Sequence, residues 1–317
     1  NDLAFRIAKT VTGNDGAIVT DHAYHGNSIV VTELSTEEYP VSEQPEYLAT
    51  VEPPNGYRGS FLYGAPDLGR NYAGLVGGAV ESLGRHGYRP AMFICDNIFS
   101  SNGILTPPPE YLQGVYRRVR EAGGLIVADE VQSGFCRLGD HWWGFEDSGV
   151  IPDIVTMGKP MGDGHPLAAV VTTPAIAEAF SRKFHYFNTF GGNPVSAAVG
   201  LAVLDVIEEE GILQNVHDVG AYIGDGLAEL SRKFDVIGDV RGKGLFWGVE
   251  IVSDRGARQA AERAAVGIRE FLRNNGVLLG TTGPLGNVVK IRPPMVFSRA
   301  NADYLLEQLD KALAGAQ

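Results

Sequence analysis

Residues 125–130 and 154–159 decide the fold, and they read Leu-Ile-Val-Ala-Asp-Glu and Ile-Val-Thr-Met-Gly-Lys. Each stretch begins with a short apolar run and ends on polar residues, which is typical of a strand buried on both faces of a parallel sheet. Apolar runs of the same kind precede Tyr24 and Asp96. We therefore expect parallel strands whose polar residues meet at one edge of a sheet.

Helical segments separate these apolar runs. Residues 109–122 form one such segment, and residues 194–210 form another, which starts with a proline and is followed by a glycine. Proline at the first helical position and glycine just past the end are favourable helix boundaries. Strands that alternate with helices in this way predict an α/β sheet covered by helices.

The C-terminal third has a different pattern. Residues 235–252 and 277–291 alternate like the strands of an α+β layer, and residues 257–274 between them are predicted to be a helix. The length of 317 residues suggests two domains, at roughly 150 residues each. We place a large domain at residues 1–206 and a small C-terminal domain at residues 207–317.

Composition excludes several classes of protein. The chain has 38 acidic and 26 basic residues and a formal charge of -12, so it lacks the basic surface of a nucleic-acid binder. No apolar run reaches the roughly 18 residues that span a bilayer, so we expect no membrane partner. The two cysteines, Cys95 and Cys136, favour a reduced, cytoplasmic location over a disulfide framework.

Two residues at predicted strand ends suggest a particular chemistry. The Asp129 carboxylate directly follows a buried strand and needs a hydrogen-bonding or cationic partner to stay charged there. Lys159 also closes a strand, and desolvation in a crevice would lower the pKa of its amine and allow a Schiff base. Together they match what pyridoxal phosphate requires, an imine anchor and a partner for the pyridinium nitrogen. A solvated surface lysine is the alternative interpretation.

Four spaced motifs resemble the class III (ornithine and omega) aminotransferases, which are fold-type I pyridoxal-phosphate enzymes. The motifs occupy residues 23–27, 127–135, 152–159 and 188–194, and the similarity includes residues 240–245. The resemblance covers essentially the whole chain. It implies a mainly parallel, seven-stranded-type central sheet flanked by helices, and a smaller C-terminal α+β domain.

The resemblance also implies roles for individual residues. Lys159 would form an aldimine with pyridoxal 5'-phosphate and then move a proton between the substrate and the cofactor. Asp129 would bind the pyridine nitrogen, and Gln132 would hydrogen-bond the 3-oxygen of the ring. Without the resemblance, Gln132 could equally be a turn residue.

Four further residues are expected at the cofactor. Tyr24 would stack on the ring, with His25 and Gly26 beside it. Thr189 would donate to the phosphate of the neighbouring subunit's cofactor, which implies a homodimer with shared active sites. Tyr24 could instead be a core aromatic, His25 could only brace its loop, and Thr189 could cap the following helix.

The sequence departs from the family pattern in two places. Asp96, a candidate substrate contact, stands where the family usually has a glutamate, and its shorter side chain alters the substrate or cofactor contact that this carboxylate makes. The family's phosphate cup and its N-terminal substrate-pocket segment would precede Asn1. We therefore expect that the N-terminal part of the large domain is missing from this chain.

We expect an aminotransferase that transfers an amino group from an amine or omega-amino acid to a keto acid. Lys290 and Arg292 are the candidates for binding the acidic group of the substrate, although both could be structural. His22 and His25 lie three residues apart without a matching carboxylate, so a metal site is not expected.

Two alternatives remain open. Residues 188–196 and 290–294 are similar to the branch that contains the ethanolamine-phosphate phospholyases. Such an enzyme would use the same catalytic lysine but eliminate phosphate and ammonia from phosphoethanolamine or a similar phosphorylated amine. A cofactor-free, inactive or regulatory subunit is the second alternative, because the phosphate cup is absent.

Overall fold

The computed structural model of the chain describes residues 1–39 and 41–316. The chain divides into two compact units. Unit 1 consists of Asn1–Asn97, Pro107–Phe135 and Trp143–Ile207, and unit 2 consists of Ile98–Thr106, Cys136–Trp142 and Glu208–Gln317. Two short segments of the N-terminal half thus belong to unit 2. The domain boundary between residues 206 and 207 stays a prediction.

The first unit is built from alternating helices and strands. Its helices are α1 (Asp2–Thr12), α2 (Ile29–Glu33), α3 (Leu68–Gly74), α4 (Val76–Arg85), α5 (Glu110–Glu121), α6 (Pro174–Ser181) and α7 (Pro194–Glu209). Its strands are β1 (Gly16–Thr20), β2 (Leu48–Val51), β3 (Pro90–Asp96), β4 (Leu125–Asp129), β5 (Ile154–Met157) and β6 (Ala169–Thr172).

These strands form one sheet in the order β2-β1-β3-β4-β5-β6. All neighbours are parallel except β5 and β6, which are antiparallel. All five residues of β1 are buried, as are six of the seven in β3, because helices cover the sheet. Phe5 and Ile7 of α1 belong to the same apolar cluster as Met92 and Val127 of the sheet. The predicted α/β class and the mainly parallel sheet are confirmed.

The number of strands differs from the seven-stranded type that the resemblance implied. Six strands occur in the part of the chain that the structure describes. After β6 the chain enters a helix instead of another strand, because Thr173 and Pro174 start α6. The Thr173 hydroxyl accepts a hydrogen bond from the Ile176 amide, and Pro174 occupies the first turn.

The second unit has an antiparallel sheet packed with helices. Its helices are α8 (Ile212–Lys233), α9 (Glu262–Asn274) and α10 (Arg299–Ala314). Its strands are β7 (Ile237–Lys243), β8 (Phe246–Asp254), β9 (Gln259–Ala260), β10 (Gly280–Thr282) and β11 (Val288–Ile291). The sheet order is β10-β11-β8-β7, and β9 pairs with β8. This arrangement confirms the predicted C-terminal α+β layer.

A buried arginine links the chain segments of unit 2. Arg241 is 4% exposed, and its Nε donates to the carbonyl oxygens of Gly103 at 3.0 Å and Ile104 at 2.9 Å. Its Nη1 lies 2.6 Å from Glu250 Oε2 and 3.0 Å from Asp239 Oδ2. Burial lowers the pKa of Arg241, but the two carboxylates outweigh burial and raise it overall. Arg241 thereby fastens residues 98–106 to the C-terminal sheet.

We expect Arg241→Leu to lower the free energy of unfolding by about 3–5 kcal/mol, because Glu250 would remain buried without its cation. Urea unfolding at pH 7 measures this loss. The matched control is Arg263→Leu, which changes an exposed arginine of α9 and should alter stability by less than about 0.5 kcal/mol. A loss below about 1 kcal/mol in Arg241→Leu would show that the network contributes little.

Candidate active site

The polar residues predicted at strand ends lie at one edge of the sheet in unit 1. Asp96 ends β3 and Asp129 ends β4, and the two are direct partners in the parallel register. Lys159 follows β5 after one residue, and Tyr24 follows β1 after three. Because β1, β3, β4 and β5 are parallel neighbours, their carboxyl ends share that edge, where open α/β sheets bind ligands.

Asp129 is the most tightly bound of these side chains. Its Oδ2 lies 2.8 Å from His25 Nδ1 and accepts a hydrogen bond from Asn1 Nδ2 at 3.0 Å, while its Oδ1 accepts from the Val131 amide at 3.1 Å. Burial raises the pKa of Asp129, but the contacts with His25, Val131 and Asn1 outweigh burial and hold the pKa below its ordinary value. The site therefore contains a buried, ionised carboxylate.

Local backbone geometry places His25 against Asp129. The buried Ser35 Oγ accepts hydrogen bonds from the amides of His25 at 2.9 Å and Gly26 at 3.2 Å. Gly26 has φ 142°, a conformation that side chains disfavour, and an added Cβ would lie 3.0 Å from Val31 Cγ1. A glycine at position 26 thus lets the loop fold back so that the imidazole reaches the carboxylate.

Lys159 and Tyr24 are neighbours. The Lys159 Nζ lies 6.0 Å from the centre of the Tyr24 ring. Lys159 is exposed and begins the short 3₁₀ turn Lys159–Gly162, whereas Tyr24 is half-buried. Since Tyr24 directly precedes His25, the amine, the aromatic ring and the Asp129–His25 pair occupy one neighbourhood.

The other predicted site residues are placed differently. Gln132 is half-buried in the loop after β4, three residues beyond Asp129. Thr189 is exposed in the loop before α7, where Asn188 Oδ1 accepts hydrogen bonds from the Phe190 and Gly191 amides at 3.1 Å. Lys290 and Arg292 belong to unit 2, in and directly after β11.

Glu130 is a buried carboxylate that sequence reasoning did not select. It is 0% exposed, and it accepts hydrogen bonds from Asn97 Nδ2 at 2.7 Å, Ser133 Oγ at 2.8 Å, and the amides of Gly144 and Phe145, both at 2.9 Å. Burial raises its pKa to about 7, although these hydrogen bonds oppose the rise. Through these hydrogen bonds, Glu130 holds the loop after β4 in place. In the sequence, this role was indicated only by the position of Glu130 directly after Asp129.

A second contact that the sequence did not predict connects the loop after Lys159 to helix α7. His165 Nε2 lies 2.8 Å from Ser196 Oγ, and Ser196 Oγ also accepts from Asn193 Nδ2 at 2.9 Å. Ser196 is one of the two buried residues of α7. The loop that follows Lys159 is therefore tied to the helix that follows Thr189.

The side chains at the sheet edge suit a planar aromatic aldehyde as ligand. The Lys159 amine lies beside the ring of Tyr24. The Asp129 carboxylate, whose pKa is lowered, suits a protonated nitrogen in the ring of that ligand. His25 Nε2 is buried without a hydrogen-bond partner among residues 1–39 and 41–316, so a polar donor or acceptor is still needed there. These residues fit pyridoxal phosphate.

Comparison with known protein families gives one match along almost the whole chain. The family model described as "Aminotransferase class-III" matches residues 1–313. The chain is 45% identical over 314 residues to the Drosophila melanogaster protein "Alanine--glyoxylate aminotransferase 2-like", covering 96% of this chain and 64% of that protein. It is also 36% identical over 328 residues to "Ethanolamine-phosphate phospho-lyase homolog 1" of Caenorhabditis elegans, covering 99% of this chain and 70% of that protein.

Solved structures agree with this match. A phospholyase from Arthrobacter, in complex with phosphoethanolamine, is 42% identical and superposes with a TM-score of 0.94, covering 99% of this chain and 74% of that chain. A PLP-bound amine transaminase from an uncultivated Pseudomonas species is 27% identical with a TM-score of 0.90, covering 100% of this chain and 74% of that chain. The chain spans 64% of the length of the fruit-fly relative. By the extent and identity of these matches, the chain belongs to the class-III aminotransferase family.

Proposed function

We propose that the chain is the catalytic part of an aminotransferase that moves an amino group from an amine or omega-amino acid to a keto acid. Membership of the class-III family makes pyridoxal phosphate its cofactor. The observation that supports the proposal most directly is the grouping of Lys159, Tyr24 and the Asp129–His25 pair at one sheet edge.

Each residue has a proposed task. When bound, pyridoxal phosphate withdraws electrons from the substrate carbon that bears the amine. Asp129 holds its negative charge opposite the ring nitrogen, and His25 keeps that carboxylate oriented and ionised. Tyr24 supplies an aromatic face for the ring. Gln132 would donate to an oxygen on the ring.

Lys159 is the proposed catalytic base and the covalent anchor of the cofactor. Lys159 is exposed, and its amine would take the proton from the substrate carbon. Lys159 would return the proton to a different carbon, and water would then release the carbonyl product while the amino group stays with the cofactor. The hydrogen bond between His165 and Ser196 steadies the loop behind Lys159 during this movement.

A homodimer is proposed from the exposed apolar surface around Thr189. Phe187 is 74% exposed and Phe190 is 79% exposed, and in α7 Val195 and Leu201 are 65% and 61% exposed. Several large apolar side chains exposed in one segment of the chain are typical of a protein interface. Thr189 would then face the cofactor phosphate of the partner. Analytical ultracentrifugation tests this proposal, and a monomer at micromolar concentration would contradict it.

Phosphate elimination is the second candidate, favoured by the 42% identical phospholyase that binds phosphoethanolamine. In that reaction the same amine removes the proton, and the electron pair left on carbon expels phosphate from the neighbouring carbon. Water would then release the remaining carbon skeleton as an aldehyde, so that an aldehyde, ammonia and phosphate are the products. Lyase and transferase share the proton-abstraction step, so the residues around Lys159 are compatible with both.

Two incubations separate the two activities. We expect alanine from pyruvate in the presence of an amine donor, and no phosphate from phosphoethanolamine when keto acid is omitted. Phosphate release under those conditions would establish the lyase. The absorption spectrum of the purified chain is recorded first, because a colourless, cofactor-free protein would support the inactive or regulatory alternative.

The cellular location stays a prediction. The helices in the described residues include none that is long and apolar enough to cross a membrane. Relatives from Arabidopsis thaliana, at 43% identity, and Homo sapiens, at 42% identity, are named as mitochondrial proteins. We propose a cytoplasmic enzyme, and fractionation of cells that produce it would test this location.

A further inference from the structure

One asparagine connects the start of helix α1 to the Asp129–His25 pair. The Nδ2 group of Asn1 donates to Asp129 Oδ2 at 3.0 Å and to the carbonyl oxygen of His25 at 2.6 Å. The imidazole of His25 contacts the same carboxylate oxygen, with Nδ1 at 2.8 Å. The three residues therefore form a closed ring of contacts, in which Asn1 binds both the carboxylate and the backbone of its histidine partner.

The orientation of the Asn1 amide is fixed by its surroundings. Asp129 Oδ2 and the His25 carbonyl oxygen are both acceptors, so only the NH2 group, with its two hydrogens, can face them. The Asn1 Oδ1 atom is buried and has no hydrogen-bond partner within the residues that the structure describes. A buried acceptor without a partner costs free energy, so stability alone does not explain an amide at this position.

Helix capping does not explain the Asn1 side chain either. Asn1 is the N-cap of α1, where an asparagine side chain ordinarily accepts a hydrogen bond from an amide of the first turn. In the described part of the chain it makes no such bond, because it is directed at Asp129 instead. The helix holds the residue firmly, since the Phe5 amide donates to the Asn1 carbonyl oxygen at 3.0 Å. Four residues of α1 pack in the apolar cluster of the sheet, namely Ala4, Phe5, Ile7 and Ala8.

Asn1 and His25 together determine which acceptor position of Asp129 is left for a ligand. A carboxylate accepts hydrogen bonds at about four positions, two on each oxygen. His25 and Asn1 occupy both positions on Oδ2, and the Val131 amide occupies one on Oδ1 at 3.1 Å. Among the contacts of the described residues, the remaining position is therefore on Oδ1.

We propose that Asn1 is a positioning residue for Asp129, whose amide holds Oδ2 together with His25 and so reserves the remaining position on Oδ1 for the ring nitrogen of the cofactor. The inference rests on the proposed function, in which pyridoxal phosphate binds at this sheet edge. Asn1 acts through Asp129 and has no contact of its own with the cofactor. Burial raises the pKa of Asp129, and the hydrogen bonds from His25, Val131 and Asn1 together lower it below its ordinary value.

Cofactor affinity measures this role. The cofactor is removed from the purified protein, and pyridoxal phosphate is titrated back while its absorbance is recorded. We expect Asn1→Ala to raise the apparent dissociation constant by about tenfold, because a hydrogen bond to a charged carboxylate is lost. Asn1→Asp keeps the size of the side chain but places a second carboxylate against two acceptors, and should raise the constant at least as much. Wild-type affinity in either variant would overturn the inference.

Asn14→Ala is the matched control. Asn14 is half-buried like Asn1, and its Nδ2 also faces two acceptors, the carbonyl oxygens of Pro90 at 3.0 Å and Gly123 at 3.5 Å. Pro90 begins β3, at the end of that strand opposite to Asp96. We expect cofactor affinity within about twofold of the wild type. An equal loss of affinity in Asn14→Ala and Asn1→Ala would show a general loss of stability and would overturn the inference.

A double-mutant cycle with Asp129→Ala tests whether Asn1 acts through the carboxylate. In the Asp129→Ala background we expect Asn1→Ala to change the dissociation constant by less than about threefold, because the amide has lost the group that it orients. Asp129→Asn replaces Asp129→Ala if the latter does not fold. A loss of about tenfold in that background as well would show that Asn1 only supports the fold, which would overturn the inference.

Thermal unfolding of the cofactor-free variants separates this inference from the proposed function. The decrease in melting temperature caused by Asn1→Ala should be at most about half as large in the Asp129→Ala background. Equal decreases in the two backgrounds would refute the inference, even if the wild-type chain binds cofactor normally. A wild-type chain that attaches no cofactor but shows unequal decreases would refute the proposed function, while the hold of Asn1 on Asp129 would remain.

Discussion

The Lys159→Ala substitution is expected to lower turnover by at least about 10³-fold, because alanine has no amine to anchor the cofactor or to move the proton. The Lys159 Nζ lies beside the Tyr24 ring at the carboxyl edge of the sheet, so its loss removes the only group assigned to proton transfer. Steady-state assays measure the loss of turnover, and intact mass after borohydride reduction measures the loss of covalently attached cofactor. The variant should show no covalently attached cofactor.

Lys183→Ala is the matched control. Lys183 is exposed in unit 1, and its Nζ donates to the Thr10 carbonyl oxygen at 2.9 Å. We expect activity and cofactor attachment within about twofold of the wild type, since surface substitutions of this kind change little. Full activity in Lys159→Ala would contradict the role proposed for Lys159 in both the transferase and the lyase.

The Asp129→Asn substitution is expected to lower turnover by about 10²-fold or more, because a neutral amide cannot stabilise positive charge on the ring nitrogen. The hydrogen bonds with His25 and Asn1 change as well, because an asparagine side chain has one accepting oxygen and one donating NH2 group in place of two accepting oxygens. Tighter cofactor binding or unchanged turnover in this variant would contradict the proposed role of Asp129.

Stability should depend on pH through the same carboxylate. The folded-state pKa of Asp129 lies below the value of about 3.9 for a free aspartate. Its ionised form therefore stabilises the fold above that value, and the contribution is lost as the pH falls through the folded-state pKa. We expect the difference in unfolding free energy between wild type and Asp129→Asn to shrink below about pH 4.

Urea unfolding across the acid range measures this difference. Asp15→Asn is the control, because Asp15 is 59% exposed in its pair with Lys9 and contributes less than about 1 kcal/mol. A wild-type advantage that grows as the pH falls below 4 would show that the sign of the pKa shift is wrong.

Local sequence patterns predicted most of the large sheet. The runs that precede Tyr24, Asp96, Asp129 and Lys159 are mainly apolar, and all four form parallel strands of the sheet. β2 was missed, although its four residues, Leu-Ala-Thr-Val, pair in parallel with β1. The predicted helix over 257–274 starts only at Glu262, since Gln259–Ala260 pairs with β8. Pairing with another strand decided both cases.

Residue types at strand ends predicted which groups would gather in unit 1, but their hydrogen bonds could not be predicted. His25 and Asp129 are 104 positions apart, and their 2.8 Å contact depends on the conformation of Gly26 and on Ser35. Arg137 lies in a loop without a periodic pattern, so its hydrogen bond to Pro293 has no local signal. The roles of Gln132 and Thr189 stay predictions.

The division of unit 2 into three chain segments has a consequence for biosynthesis. Ile98, Ile104 and Leu138 form an apolar cluster with Phe246, and each is at most 4% exposed. Translation at 5–20 residues per second needs roughly 5–20 s to pass from Leu138 to Phe246. During that interval the three side chains are accessible on the nascent chain. A polypeptide that stops at residue 206 would keep them exposed permanently, so we expect it to aggregate or to bind chaperones.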